Sequence, residues 1–513
     1  MGRIVVTAAL ASDAAIAPTR ALYSAAQTRE LDRLAIGGRA GAGYALMQAA
    51  AAAAWRALRD RRPELRRVDV VCGPGNNGGD GYELARLAWQ DGVEARVWAI
   101  GTPAAGTEAD QACAAWQAVG HVGAYEPGVL DGADAIVDAL YGTGLSRPVE
   151  GLAAEAIADI RAQRHAYVMS IDIPSGLHAD TGRVLGMAVM ANLTISFIGR
   201  KIGLYTGLGP EYAGERLFDD LGVAAPSEIG PLATLLNQDD LLRWLPPRRR
   251  GAHKGDNGFV LLIGGDRGYA GAIVLAARAA LRSGSGRVAV ATRSAHASAL
   301  VAGQPEVMFR GVESVDELLP LMAQADVVAI GPGLGREAWG RAMWSAALAS
   351  SRPLVVDADA LNLLAEQAQH RDDWVLTPHP GEAARLLQTT VAAVEADRIS
   401  ATRALVARYG GTVVLKGAGS LIGDRSLAVC PYGNPGMAVG GAGDVLTGIV
   451  ASVMAQAEAL SMDVVSAVRC AVLVHALAGD RAAQQIGERG QLPSDLIDAL
   501  PAIVNPCADG GRV

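Results

Sequence analysis

The chain has 513 residues, half of them hydrophobic and 19% charged, with a formal net charge of −8. At about 150 residues per domain this length suggests two to four domains, and the acidity argues against nucleic acid as a partner. Cys72, Cys113, Cys430, Cys470 and Cys507 are scattered, odd in number and without CxxC spacing, which implies neither a disulfide framework nor a zinc site.

Residues 1–20 read as a flexible extension whose apolar part is interrupted by Asp13, so no signal peptide is expected. No uncharged run reaches the ~18 apolar residues that span a bilayer, and a cytoplasmic location is the default. SAAQTRELDRLAI and YALMQAAAAAAWRALRD carry helical spacing. Val68 to Cys72 reads as a buried strand running into GPGNNGGDG, a glycine loop that opens a helix. This is the layout of a ligand site at the carboxyl end of a strand, though neither a dinucleotide fingerprint nor a Walker loop. Asn76, Asn77 and Asp80 suit sugar hydroxyls or a monovalent cation better than a triphosphate.

Glu94 to Ile100, Ala133 to Leu140 and Tyr167 to Ile171 continue the strand–helix alternation. The second of these carries Asp138 and leads into YGTGLSRP; the third leads into Asp172-Ile173-Pro174-Ser175-Gly176. Asn77, Asp138, Asp172 and Ser175, at three strand ends, are expected to converge on one crevice. Ala191 to Phe197 and a turn at Gly199 to Leu204 close this first unit near residue 225. A Pro/Gly-rich linker over 226–234 follows, and Arg248 to Arg250 read as a solvated face.

The second unit repeats the pattern with strands at Gly258–Gly264, Arg287–Ala291, Asp326–Ile330, Pro353–Val356, Trp374–Thr377 and Thr412–Leu415. Lys416 with Gly417 and Gly419 makes a phosphate clamp, and Gly440, Gly441 and Gly443 make an anion nest from which a helix starts near Asp444. A carboxylate opposes phosphate binding, so Asp444 is read as a base that takes a proton from a substrate hydroxyl. Of 45 basic residues only Lys201, Lys254 and Lys416 are lysines, each in a Gly-rich stretch, which marks them as candidate site residues. The fold class is α/β throughout: a Rossmann-like three-layer domain followed by a second doubly wound domain.

These motifs carry a family resemblance. Residues 21–225 resemble the NAD(P)H-hydrate epimerase domain, on NNGGDG, DALYGTGLSRP and DIPSGL. Residues 235–503 resemble the ADP/ATP-dependent NAD(P)H-hydrate dehydratase domain, a ribokinase-like fold, on HKGDNG, DADALN, LTPHPGE, LKGAG and GNPGMAVGGAGDVLTG. Together they are similar to the bifunctional NAD(P)H-hydrate repair family of bacteria, whose substrates are reduced nicotinamide nucleotides that have gained water. The resemblance implies that the R and S hydrates are interconverted in the first domain. The S form is returned to NAD(P)H in the second, with cleavage of ADP to AMP and phosphate, or of ATP, and with Mg2+.

It further implies that Asn77, Asp138 and Ser175 hold potassium. Asn76, Asn77, Gly78, Gly79, Asp80, Gly142, Thr143, Gly144, Leu145, Ser146, Arg147, Pro148 and Asp172 bind the hydrate, with Asp172 moving its proton. In the second domain Ala272, Gly333, His379 and Asp444 contact the hydrate, while Lys416, Gly417, Ala418, Gly419, Ser420 and Gly443 hold the nucleotide. A homo-oligomer without membrane or nucleic-acid partners is expected. The chain departs from the family at Ala442, where a serine is common, and at LMQAAA in place of a LMENAG-like helix. The alternative reading is a vitamin or sugar kinase of the same fold joined to a module that binds NAD-like ligands.

Overall fold

The computed structural model of the chain describes residues 20–38, 41–223 and 228–506. The extension expected before Arg20, residues 226–227 of the linker, Cys507 and the end of the tail lie outside them.

Two sheets organise the described residues. The first has seven strands, all parallel, in the order Val122–Ala124, Glu94–Ala99, Arg67–Cys72, Ala135–Ala139, Tyr167–Ile171, Leu193–Phe197 and Glu215–Asp219. Its central strands are buried on both faces, as expected where helices cover both sides. The order reverses between Arg67–Cys72 and Ala135–Ala139, so the chain leaves these two strands in opposite directions and opens a crevice between them.

The second sheet has twelve strands. Seven parallel strands run from Met308–Gly311 through Arg287–Thr292, Phe259–Ile263, Val327–Ile330, Leu354–Val356 and Trp374–Leu376 to Thr412–Leu415. Here the order reverses between Phe259–Ile263 and Val327–Ile330. The antiparallel pair Ser420–Gly423 and Leu427–Cys430 follows, and then three short strands that sequence patterning does not reveal. Ala233–Leu235 pairs with Leu427–Cys430, Ala21–Tyr23 pairs with Ala233–Leu235, and Arg200–Lys201 pairs with Ala21–Tyr23.

Those three strands correct three expectations. Part of the stretch read as linker is a strand, the start of the first unit is a strand before it is a helix, and the Gly199–Leu204 turn contains a strand. At two or three residues each they are too short for periodicity to register. They exist because neighbouring strands supply the partners for their N–H and C=O groups. They also join the two units physically. Leu22, Ile202, Leu204 and Tyr205 share one buried core with Leu421, Leu427 and Val429.

Two further differences concern local structure. NNGGDG is the first turns of the helix Asn76–Gln90 rather than a loop. Its glycines are needed for close packing: a Cβ on Gly78 would lie 1.9 Å from the Gly73 carbonyl oxygen, and one on Gly81 would lie 2.6 Å from the Ala139 Cβ. Arg248 is also not merely solvated, since it donates to Gln456 Oε1 at 2.9 Å.

Leu22 is fully buried in the strand that bridges the two units. Leu22→Ala is expected to cost about 2–5 kcal/mol, the usual range for a buried leucine truncated to alanine. Urea unfolding followed by circular dichroism checks this; a midpoint unchanged from wild type would mean the shared core contributes nothing.

Candidate active sites

The first crevice holds a cavity of about 980 Å3. Asn76, Asn77 and Asp80 reach it from the helix after Arg67–Cys72, Gly142 to Pro148 from the loop after Ala135–Ala139, and Asp172 from the end of Tyr167–Ile171. Gly78 and Gly79 do not line it; they pack against the Gly73 backbone and Met47. Asp138 and Ser175 are fully buried and absent from the cavity lining. Asp138 accepts from Ser175 Oγ at 2.5 Å, Ser175 N at 2.8 Å, Ser170 Oγ at 2.8 Å and Leu140 N at 3.3 Å. Burial still pushes its carboxyl above the ordinary range, against the pull of those donors.

The loops meet tightly. A Cβ on Gly142 would stand 3.1 Å from Asp172 Oδ2 and 3.6 Å from Asn77 Cγ. Both amide atoms of Asn77 are buried without a hydrogen-bond partner. Because a buried orphan amide is costly, this pair of atoms is the strongest mark of a bound group in the crevice. Lys201, 1% exposed, donates to Asp172 Oδ1 and, at 3.1 Å, to the Phe197 carbonyl. Asp172 at φ 68° and Ile198 at φ 61° hold left-handed backbone that non-glycine residues rarely adopt. Met47 and Ala50, from the helix bearing LMQAAA, form part of the wall.

The second site lies at strand ends of the larger sheet. Lys416, directly after Thr412–Leu415, pairs with Asp357 at 2.8 Å and stands 3.8 Å from Glu382 Oε2. Asp357 follows Leu354–Val356 and accepts from buried Thr447 at 2.7 Å. A Cβ on Gly443 would come within 3.2 Å of Lys416 Nζ, so clamp and nest face each other. The nest begins at Gly441, φ 101°, and feeds the helix Ala442–Ala455. Ala442 costs the nest nothing visible: its carbonyl accepts from His475 Nε2 at 3.0 Å, a ring kept neutral by burial, which lowers its pKa to about 4.

Asp444, in the first turn of that helix, has its carboxyl raised to about 7 by burial and by the neighbouring Asp357 charge, with Lys416 opposing. Glu382 is also raised to about 7, chiefly by burial. Burial pulls the Lys416 ammonium down, yet Asp357 and Glu382 outweigh it and hold the ammonium above its ordinary value. His379 caps the helix Pro380–Leu387 by accepting from Gly381 N at 2.9 Å, and burial lowers its pKa. Ala272 and Gly333 meet where the strand order reverses, a Cβ on Gly333 lying 3.4 Å from that of Ala272.

The loop Gly417–Ser420 is held from two sides. Arg398, 2% exposed, donates to the carbonyls of Leu415 at 3.2 Å and Lys416 at 3.1 Å. Gly419, φ 65°, lies against the first unit, where a Cβ would sit 1.8 Å from the Tyr205 carbonyl oxygen.

A family model described as NAD(P)H-hydrate dehydratase matches residues 260–502, and one described as YjeF-related protein N-terminus matches 43–203. The bifunctional NAD(P)H-hydrate repair enzyme Nnr of Coxiella burnetii is 45% identical over 94% of this chain and 99% of its own length. This chain belongs to the bifunctional NAD(P)H-hydrate repair enzymes. The Nnr enzyme of Escherichia coli is 42% identical over 90% of both chains. The solved ADP/ATP-dependent NAD(P)H-hydrate dehydratase of Bacillus subtilis, co-crystallised with ATP/Mg2+, is 28% identical over 52% of this chain and 96% of its own, with a TM-score of 0.47. Identity at this level along the whole chain decides for the repair enzyme over the kinase reading.

Asp357, Glu382 and Thr447 gather with Lys416 although no spacing in the sequence singles them out, the first two standing in DADALN and PHPGE. The scarcity of lysine was the available signal: Lys201 and Lys416 each pair with a strand-end aspartate, whereas Lys254 is exposed.

Gly419→Ala forces left-handed backbone on a Cβ that strikes the Tyr205 carbonyl, whereas a Cβ on Gly440 meets nothing within 4 Å. Gly419→Ala is expected to raise the nucleotide KM of dehydration by at least about tenfold, a cost near 1.4 kcal/mol. Gly440→Ala should stay within about twofold, and equal effects of the two would remove the brace from the account.

Proposed function

We propose that residues 21–225 carry the epimerase and residues 235–503 the dehydratase, divided at 226–234. The dehydratase turns the S hydrate into NAD(P)H while cleaving ADP to AMP and phosphate. The observation that carries this reading is Asp444, a carboxyl near neutrality at the mouth of the nest and opposite Lys416. A base with that pKa works at physiological pH.

Asp444 takes the proton from the hydrate hydroxyl, whose oxygen attacks the terminal phosphoryl group as its bond to the AMP oxygen breaks. The nest amides and Lys416 bear the charge on the group in flight. Phosphate then departs from the carbon that held water, pushed by the ring-nitrogen lone pair, and the adjacent ring carbon releases a proton to restore the double bond. Asp357 and Glu382 are oxygen donors suited to Mg2+ arriving on the nucleotide phosphates. Mg2+ when bound neutralises charge on those phosphates.

In the epimerase, Asp172 transfers the proton during ring opening or dehydration–rehydration at the carbon bearing water, held in place by Lys201. The orphan Asn77 amide supports potassium, since oxygen-only donors fit a hard cation and its Oδ1 lacks a partner. We assign the ion to Asn77, Ser175 and Asp138, with Asp138 contributing mainly charge because four donors already occupy its oxygens. A cytoplasmic location accords with four buried free thiols among the described residues.

Asp444→Asn is expected to lower nucleotide-dependent recovery of NAD(P)H by about 10²–10⁴-fold while R-hydrate still epimerises. Because the base acts deprotonated, wild-type kcat/KM should rise with pH through about 7 and level off above it. A loss under tenfold, followed at the reduced-nicotinamide absorbance band, would assign the base elsewhere.

The potassium assignment is checked separately. Asp138→Asn and Asn77→Ala should shift the potassium dependence of R-hydrate consumption to higher concentration, with excess dehydratase present and dehydration of the S hydrate untouched. Titration curves that overlay wild type remove the ion from the site.

A further inference from the structure

The helix Ala25–Ile36 turns one face to the epimerase cavity, with Thr28, Arg29, Asp32 and Ile36 in its lining. It lies before the span matched by the YjeF-related family model, and no motif of the epimerase resemblance includes it. Its position is nevertheless fixed by several contacts. Ser24 and Gln27 form a capping box, Asp180 accepts from Ala25 N at 2.6 Å, and the helix continues the strand Ala21–Tyr23 that pairs with Arg200–Lys201. Leu31 is fully buried, and a Cβ on Gly199 would lie 3.1 Å from its Cδ1. The adjacent Asp32 is thereby committed to the cavity side.

Asp32 makes no hydrogen bond or ion pair with another described residue, although it is largely withdrawn from water. A carboxyl kept in that condition beside a ligand cavity is a functional-site signature. Its charged surroundings are Lys201 on the bridging strand, Asp172 after Tyr167–Ile171, and Asp80 on the helix Asn76–Gln90. Arg29 lines the cavity from its own helix, and Glu108, Arg147 and Glu150 line it from other walls. Burial raises the Asp32 carboxyl to about 6, Asp172 adds to this, and Lys201 moderates it. Lys201 is meanwhile tied to Asp172, so two carboxyls face one cavity: one salt-bridged, one without a partner among the described residues.

We propose that Asp32 is a second catalytic carboxyl of the epimerase centre, exchanging a proton with the ring nitrogen of the hydrate while Asp172 exchanges one with its hydroxyl. The proposal rests on the epimerase reading and deepens it. In the opening step the Asp172 carboxylate takes the hydroxyl proton, and the carbon–oxygen bond becomes a carbonyl. The carbon–nitrogen bond breaks with its electron pair going to nitrogen, which takes the proton of the Asp32 carboxylic acid. The open form is an aldehyde and an enamine. After the aldehyde turns over its other face, nitrogen attacks it and returns its proton to Asp32, and the oxygen recovers one from Asp172. Charge and protons balance over the cycle, and no oxidant or further reactant enters.

The test measures R-hydrate consumption by the full-length protein with excess separate dehydratase, across pH 5–9, for wild type, Asp32→Asn and Asp32→Glu. An acid that must start protonated gives wild-type kcat/KM a limb that falls as pH rises through about 6. Asp32→Asn is expected to lower kcat by at least about 100-fold, with KM within a few-fold and the falling limb gone. Asp32→Glu should restore the limb and part of the rate. Each variant's own dehydration of pure S hydrate should match wild type, which reports that the chain is folded.

A falling limb that survives in Asp32→Asn, or a kcat within threefold of wild type, overturns the role of Asp32 and leaves the epimerase reading standing. If wild type itself consumes no R-hydrate above the uncatalysed rate, the epimerase reading falls and takes the proposal with it.

Discussion

The ion pair between Lys201 and Asp172 is the contact on which the arrangement of this molecule turns. Lys201 belongs to a strand of the twelve-stranded sheet, whereas Asp172 ends a strand of the seven-stranded one. Each ion is buried enough that losing its partner would cost about 3–5 kcal/mol, so the pair can exist only if both sheets are in place. The strain beside it follows the same logic. Left-handed backbone at Asp172 and Ile198 aims a carboxylate into the cavity and turns the chain from one sheet toward the other. Such conformations persist only where surrounding structure over-determines them.

The second site repeats this economy with Lys416 and Asp357. In both places a strand-end aspartate meets one of only three lysines in an otherwise arginine-using chain. An ammonium is a compact point charge that can stand beside a substrate or phosphate without the planar, bidentate demands of a guanidinium. The acids left over are then tuned apart: Asp444 and Glu382 near neutrality around Lys416, Asp32 somewhat lower beside Lys201. Separated pKa values within one cluster allow some carboxyls to hold charge while others move protons.

The two centres also share material. From Lys201 the chain passes through Ile202–Leu204 to Tyr205, whose carbonyl lies where any side chain on Gly419 would have to go. A few residues leading into one continuous buried core therefore separate the aspartate of the first site from the loop Gly417–Ser420 of the second. The backbone against which the loop Gly417–Ser420 is packed belongs to the first unit.

Much of this was already legible in the residues themselves. Strand–loop–helix repeats, Asn77 and Asp172 at strand ends, Lys416 opposite the glycine nest and the α/β class all rest on local patterns. Apolar runs, strand-end polar residues and glycine spacing are local properties, so sequence carries them directly. The strands Ala21–Tyr23, Arg200–Lys201 and Ala233–Leu235 were not legible, because at two or three residues their hydrogen-bond partners come from distant parts of the chain. The same holds for the use of NNGGDG as tightly packed helix, which depends on what stands within 2–3 Å of each missing Cβ. Asp32 reads in sequence as one more acid on an amphipathic helix; only the joining of the two sheets brings it to the cavity that Lys201 and Asp172 share. Sequence determined which groups can do chemistry, and tertiary structure decided which of them are deprived of water and of partners, since desolvation depends on neighbours remote in the chain.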